Sequence, residues 1–215
     1  GWGGDQGHPA AVAAAGDRVF LGWGGSESGR AVVAVDLEGG VVWRHKRGGF
    51  GNAHHLAADH GVLYVNDRQQ GENVVYRLTT DDGVFSPWAG SSEATLDLTP
   101  LLAPFAEAAA GKPDANGISG MDAAGGRLYL AYGAGGVVLA LDGATGRLVA
   151  QAAVDAPGDL EVGPDGALYV VSAGQAVLRF DASLQKRGTV VAGLVAATGI
   201  ALDADGALYV GLGGA

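Results

Sequence analysis

Five times along this chain one aromatic residue sits between aliphatic neighbours just after a turn. The clearest copies are Gly166-Ala167-Leu168-Tyr169-Val170 and Gly206-Ala207-Leu208-Tyr209-Val210. Looser copies are Arg127-Leu128-Tyr129-Leu130, Val62-Leu63-Tyr64-Val65 and Arg18-Val19-Phe20-Leu21. The aromatics Phe20, Tyr64, Tyr129, Tyr169 and Tyr209 are spaced by 44, 65, 40 and 40 residues. A period of about 40 to 45 residues is the length of one four-stranded propeller blade. The long gap is one such unit plus an insertion of roughly 20 to 25 residues. Each unit reads as short, β-branched apolar runs joined by turn residues. A helical solenoid needs a 3.6-residue period and few glycines, whereas this chain has 39 Gly.

The pattern predicts an all-β fold: a β-propeller of about four complete four-stranded blades plus a partial fifth. The blades span residues 9–47, 53–88, 118–154, 157–191 and 198–215, with an insertion at 89–116, all within one domain over 1–215. The first blade has strands at Ala10–Ala15, Arg18–Trp23, Arg30–Leu37 and Val41–Arg47. The second has His54–Ala58, Val62–Asn66, Val74–Leu78 and Val84–Trp88. In the insertion, Thr99-Pro100 reads as a helix cap, Leu101–Ala110 as a helix limited by Pro104, and Gly111 as its stop. The fifth blade stops after two strands. The ring is therefore incomplete unless further sequence or another chain completes it, and the chain is expected to be a piece of a longer protein of six to eight blades or to complete itself with a partner.

Composition narrows the partners. With 48% apolar residues among 215 the chain can bury a large core as one unit. A net charge of −10 argues against nucleic acid or an anionic membrane as partner. No apolar run approaches the ~18 residues of a membrane span. The opening Gly-Trp-Gly-Gly-Asp lacks the basic-then-apolar pattern of a signal peptide. The basic run Arg44-His45-Lys46-Arg47 falls on an outer strand, where charge protects an edge. The absence of cysteine removes disulfides, thiolate metal sites and Cys nucleophiles.

The stretch Pro157-Gly158-Asp159-Leu160-Glu161-Val162-Gly163-Pro164-Asp165-Gly166-Ala167-Leu168-Tyr169-Val170 resembles the blades of NHL-repeat propellers, and Thr198–Gly206 repeats it. Ala34–Trp43 and Leu141–Leu148 are more similar to the last hairpin of quinoprotein-like (PQQ-like) propellers. The resemblance implies the fold and leaves the activity open, because such families include lactonases, lyases, quinone dehydrogenases and pure scaffolds.

In the propeller pattern the first strand of each blade starts at the mouth of the central channel. Alignment on the aromatics puts Ala11, His55, Gly120, Asp159 and Gly199 in one register, and Ala10, His54, Ser119, Gly158 and Thr198 in the one before. The expected channel-mouth set is His8, Asn52, His54, Ser119, Asp159 and Thr198, with Asn66 and Asp67 from the polar loop 66–73 as further ligand contacts. In gluconolactonase-like propellers a Glu, an Asn and an Asp from these strand starts hold a divalent cation. Here Asp159 is the one carboxylate in either register, a place away from that pattern. A divalent cation on His54 and Asp159 belongs to the alternative, metal-assisted reading only. His54 and His55 point to opposite faces of a strand, so both cannot easily serve one ion.

Asp36, Asp142 and Asp181 recur before the last turn of their blades and read as turn residues bonding local amides, as do Asp165 and Asp205. No nucleophile-elbow, phosphate-loop or dinucleotide signature stands in a usable context. A quinone-dependent dehydrogenase needs a stacking Trp and several carboxylates for calcium, a set the sequence does not supply. The leading expectation is a non-catalytic binding or scaffold module of a larger exported protein, secreted or periplasmic. It would hold a protein partner, or itself, through its top face and open blade edges; a carbohydrate or small molecule is a further candidate ligand. The alternative is a metal-assisted lyase or hydrolase, lactonase-like or carbohydrate-active, at the channel mouth.

Overall fold

A computed structural model describes residues 8–24, 32–45, 53–67, 73–113 and 117–213. The chain forms two compact units, residues 1–99 and 100–215. The first holds two antiparallel four-stranded meanders. One is β1 (His8–Ala15), β2 (Arg18–Gly24), β3 (Val32–Asp36) and β4 (Val41–His45). The other is β5 (Ala53–Asp59), β6 (Val62–Asp67), β7 (Val74–Thr79) and β8 (Thr95–Asp97). The second unit holds two more and a two-stranded fifth. These are β9 (Gly120–Ala124), β10 (Arg127–Tyr132), β11 (Val137–Asp142) and β12 (Leu148–Ala153); then β13 (Pro157–Val162), β14 (Leu168–Ser172), β15 (Ala176–Phe180) and β16 (Lys186–Ala192); then β17 (Ala197–Leu202) and β18 (Leu208–Leu212). The fold is all-β, with propeller-type blades in chain order.

The recurring aromatic occupies one place in every sheet. It lies in the second strand, opposite a fixed position of the first: Phe20 faces Ala13, Tyr64 faces Ala57, Tyr129 faces Asp122, Tyr169 faces Glu161 and Tyr209 faces Ala201. Two residues further along, Ala11, His55, Gly120 and Gly199 pair with Gly22, Asn66, Ala131 and Gly211. Bulges interrupt the first strands at Pro9/Ala11, Ala53/His55, Pro157/Leu160 and Ala197/Gly199. A bulge leaves an unpaired residue and re-aims the strand end.

The cores lie between successive sheets of a unit. In the first unit Phe20, Val32, Ala34 and Trp43 pack against Ala53, Leu56, Leu63 and Leu78. In the second unit Tyr129, Ala131 and Val138 pack against Leu160, Leu168 and Phe180. Val171 and Val177 pack against Ala197 and Ile200. Burying apolar area at about 25 cal/mol per Å² is the main force joining sheets that share no ladder.

The second blade departs from the sequence reading. Its fourth strand is Thr95–Asp97, pairing with Val74–Tyr76, and not Val84–Trp88. The latter stretch makes a single bridge, Phe85 to Leu78. The Ser86 amide still reaches Arg77 O at 2.9 Å, but Pro87 has no N–H to continue the ladder. The chain then loops out and is closed by Trp88 N–H on Glu93 O and Trp88 Nε1–H on Ala94 O. Part of the expected insertion is thus a blade strand.

The expected helix over Leu101–Ala110 is broken into α1 (Thr99–Leu102), a 3₁₀ turn (Ala103–Phe105) and α2 (Ala106–Ala109). Pro104 stands at the break, as its missing donor requires. The Thr99 amide bonds Asp97 Oδ1 at 2.8 Å, so the first turn is capped by Asp97 rather than Thr99. Beyond α2, Gly111 has φ +73° and Lys112 Nζ donates to Ala134 O at 3.0 Å. A Cβ on Gly135 would meet the Phe105 Cβ at 2.9 Å. The helical segment therefore sits against the β10–β11 turn.

Candidate functional site

In the second unit the starts of β9, β13 and β17 lie side by side, and polar side chains join them. The Ser119 hydroxyl donates to Pro157 O at 2.6 Å and accepts the Gly133 amide at 3.0 Å. Asp122 Oδ2 accepts the Val162 amide at 2.7 Å while its Oδ1 accepts the Ala123 amide at 2.8 Å. Asp159 Oδ2 accepts the Ile200 amide at 3.0 Å, and Glu161 Oε1 accepts the Leu202 amide at 3.2 Å. Each link runs from one inner strand to the next. Side chains thus satisfy amides that no ladder reaches.

These carboxylates are electrostatically unusual. Burial pushes Asp122 up to about 7, and the charges of Glu161 and Asp159 add to it, against the pull of the Val162 and Ala123 amides. Burial likewise raises Asp159, opposed by the Ile200 and Leu160 amides. Glu161 is raised by burial and by the charge of Asp159. Desolvation disfavours a charge, and like charges nearby disfavour it further. Asp122 and Glu161 were not among the candidates read from sequence. Their signal was there: each stands opposite the recurring tyrosine of its blade.

In the first unit the polar residues gather at the end of β5, β6 and β7. His55 pairs with Asn66, and Ala53 with Asp67. Asn66, Asp67 and Asn73 are buried, and Asn66 Nδ2 donates to Asn73 Oδ1 at 3.2 Å and to Val74 O at 3.1 Å. Asn66 and Asp67 belong to β6 itself, not to an open loop. His54 and His55 are half-buried neighbours on β5. The sheets of this unit are joined further out: Arg18 and Trp43 Nε1 donate to Thr80 O at 2.8 and 2.9 Å, and His45 Nδ1 lies 2.9 Å from Gly83 O.

The expected channel-mouth set is divided between the two units. His8 opens β1, His54 lies on β5, and Asn66 and Asp67 end β6. Asn52 lies outside the described residues. Ser119, Asp159 and Thr198 are in the second unit, and Thr198 is exposed, with its hydroxyl 3.4 Å from Gly211 O. Ser119 and Asp159 are held on backbone groups of the next blade. Among the described residues no three His, Asp or Glu side chains stand close enough to hold a metal ion. With Asp159 on the Ile200 amide, the described residues do not fit the lactonase-type cation set. Trp43 and Trp88 are buried, their Nε1 groups bonded to Thr80 and Ala94 carbonyls.

The turn aspartates act locally. Asp36 Oδ1 accepts the Gly40 amide. Asp142 Oδ1 accepts the Thr145 amide and hydroxyl, and Asp181 Oδ1 accepts the Ser183 and Gln185 amides. Asp165 Oδ1 takes the Ala167 amide and its Oδ2 takes Arg179 and the Tyr169 hydroxyl. In the fifth sheet the same work falls to Asp203, which accepts the Asp205 and Ala207 amides and the Tyr209 hydroxyl. Asp205 was the residue expected there. The fourth sheet has Gly163 where the fifth has Asp203, which leaves the role to Asp165 in one and not in the other. A shallow cavity of about 320 Å³ is lined by Asp165, Arg179, Asp181 and Arg187, whose charges are paired with one another.

Successive four-stranded meanders, an aromatic at one register, and polar links from inner strand to inner strand define a β-propeller of PQQ-like repeats. The chain belongs to the family described as outer membrane protein assembly factor BamB, whose model matches residues 2–158. No curated protein matches it. Among solved structures it is similar to a candidate 6-phosphogluconolactonase from Bacteroides uniformis, at 19% identity and a TM-score of 0.61, over 94% of this chain and 63% of that one. It is also similar to Myxococcus xanthus glutaminyl cyclase, at 17% identity and a TM-score of 0.56, over 94% and 84%. The WD40 β-propeller domain of Doa1 matches at 10% identity and a TM-score of 0.50, over 97% and 77%. These likenesses show the fold. The chain spans less than two thirds of the length of the lactonase-like protein.

Proposed function

We propose that this chain is a non-catalytic scaffold module of a larger exported protein, holding a protein partner through its top face and open strand edges. The observation that carries this reading is the use made of the inner-strand polar groups. Ser119 and Asp159 lie near the starts of the inner strands, Asp122 and Glu161 further along them, and each is bonded to the backbone of the next blade. Groups held in this way set the spacing of sheets rather than meet a substrate. The family description, an assembly factor of outer membrane proteins, supports a periplasmic location and a partner that is a protein. Among the described residues no helix is long and apolar enough to cross a membrane.

The test is an assay of lactone opening and of glutaminyl-peptide cyclisation, run with and without added Ca²⁺, Mg²⁺, Mn²⁺ or Zn²⁺. The scaffold reading expects no turnover above buffer, and it expects Asp159→Asn to lower the melting temperature. Turnover that His54→Ala or Asp159→Asn abolishes, with the melting temperature unchanged, would establish the metal-assisted enzyme instead.

A further inference from the structure

We propose that the free edge of β12 is a self-association strand, pairing antiparallel with β12 of a second copy about a two-fold axis through Gln151. This rests on the scaffold reading and names the partner of one of its edges. Among the described residues each complete sheet ends in an outer strand with one neighbour, and an unprotected edge is a template for another strand. Three of these outer strands are protected. β4 carries Arg44 and His45, β8 is three residues long and ends on Asp97, and β16 opens with Lys186-Arg187 and has two register shifts against β15. β12 reads Leu148-Val149-Ala150-Gln151-Ala152-Ala153, six residues without a charge, with a single register shift at Val149 near its start. Leu148 and Val149 are 45% and 49% exposed. On a chain of net charge −10, a neutral edge is where two copies meet with least repulsion.

The ladder fixes which amides are on offer. The Val154 amide donates to Gly136 O at 3.0 Å. The N–H and C=O of one residue point to the same side of a strand and alternate along it. So the amides of Ala152 and Ala150 face β11 and those of Ala153 and Gln151 face away, up to the register shift at Val149. An axis through Gln151 sets Gln151, the centre of the regular outward run, against its own copy and leaves the register shift at Val149 to the end of the pairing. Arg147 and Asp155 stand four residues to either side of Gln151. The same axis brings the cationic start of each strand to the acidic end of the other, an isologous arrangement with opposite charges across it. Moving the axis to Ala153 removes that match. Ala150 and Ala152 stay on the core of their own blade.

The experiment is sedimentation velocity on the full chain over roughly 1–100 µM, the range in which an edge-to-edge contact is read. The wild type is expected to form a concentration-dependent dimer. Gln151→Lys and Gln151→Glu each place like charges at the axis and weaken it by roughly tenfold or more, and an equimolar mixture of the two regains it. Because the chain has no cysteine, Gln151→Cys should give a disulfide-linked dimer on mild oxidation, since hydrogen-bonded antiparallel partners lie about 5.5 Å apart. Unchanged melting curves show that the variants fold. A wild type that stays monomeric overturns the proposal and leaves the scaffold reading standing, its partner then being a different chain. A dimer untouched by the Gln151 variants but dissociated by Gly211→Lys on β18 assigns the contact to another edge and overturns it equally.

Discussion

The carboxylate of Asp159 and the amide of Ile200 are 41 residues apart in sequence and joined at 3.0 Å. They belong to different sheets, β13 and β17, which no ladder connects. Two similar bonds, Asp122 to Val162 and Glu161 to Leu202, repeat the device. The repeat period thus delivers a polar latch as well as a core residue. Removing the Asp159 carboxylate leaves a buried amide without an acceptor, which costs about 1–3 kcal/mol. Asp159→Ala is expected to lose stability of that order in urea unfolding at pH 5, and Asp159→Asn, which keeps one acceptor, to lose less. Equal midpoints for the wild type and Asp159→Ala would show that the latch contributes nothing.

The same latches make stability depend on pH in an uncommon direction. Asp122 is pushed up to about 7 in the folded chain, from 3.8. Between those values the folded state binds a proton that the unfolded state has released, so raising the pH favours unfolding. The stability is expected to fall by on the order of 1 kcal/mol per pH unit from about pH 4 to 7 and to level off above. Asp159 and Glu161, also raised, act in the same sense. Asp142, Asp165, Asp181 and Asp203 are held below the usual range by turn amides, hydroxyls and arginines, and they withdraw stability only as the pH drops below their unfolded values. Melting temperatures should therefore peak in mild acid. Asp122→Asn should flatten the fall between pH 5 and 7, and a profile of unchanged slope would refute the assignment.

Two glycines at one register separate close packing from open space. A Cβ on Gly120 would stand 2.7 Å from Gly158 O and 3.0 Å from the Asp159 Cα, both backbone atoms of the next inner strand. On Gly199 the nearest atom would be Asp159 Oδ2 at 3.6 Å, an ordinary contact. Gly120→Ala must push β9 and β13 apart and is expected to cost about 1–3 kcal/mol. Gly199→Ala should stay within about 0.5 kcal/mol of the wild type or stabilise it. Chemical denaturation of the two variants side by side decides this. Equal losses would mean that the inner strands are not closely packed at that level.

What the sequence made legible was whatever recurs. Tyr64, Tyr129, Tyr169 and Tyr209 mark the second strand in four sheets, and their spacing announced blades before any strand was placed. Features without a repeat were harder to see. Pro87 ended a plausible fourth strand early, and the true one, Thr95–Asp97, lay beyond it with only three residues to show. The candidate site suffered in another way. Register singles out Asp159 and Ser119 as polar groups at the inner strands, but register does not say whether a polar group faces solvent or the neighbouring backbone, and here both are bonded to backbone. Asp122 was passed over because it aligns with alanines in three other blades, and its partner Val162 is visible only once β9 and β13 are neighbours. Asn66 and Asp67 read as loop because polar residues end a strand in either case; here they are buried within it.

The repeated tyrosine offers a further test, because one motif sits in two environments. Tyr129 is 2% exposed and packs between the third and fourth sheets. Tyr209 holds the same place in β18 but is 59% exposed, tied down by its hydroxyl on Asp203 at 3.0 Å. If the motif worked through strand propensity alone, truncating either residue would cost the same. If it works through burial, Tyr129→Ala should cost about 3–5 kcal/mol, the range for emptying a large aromatic site in a core. Tyr209→Ala should then cost under about 1 kcal/mol, a surface hydrogen bond and some partial packing. Tyr209→Phe, which removes only the hydroxyl, should account for most of that smaller loss. Urea midpoints for the three variants give the ordering directly, and a Tyr209→Ala loss as large as that of Tyr129→Ala would mean that the exposed tyrosine is covered in solution by another strand or chain.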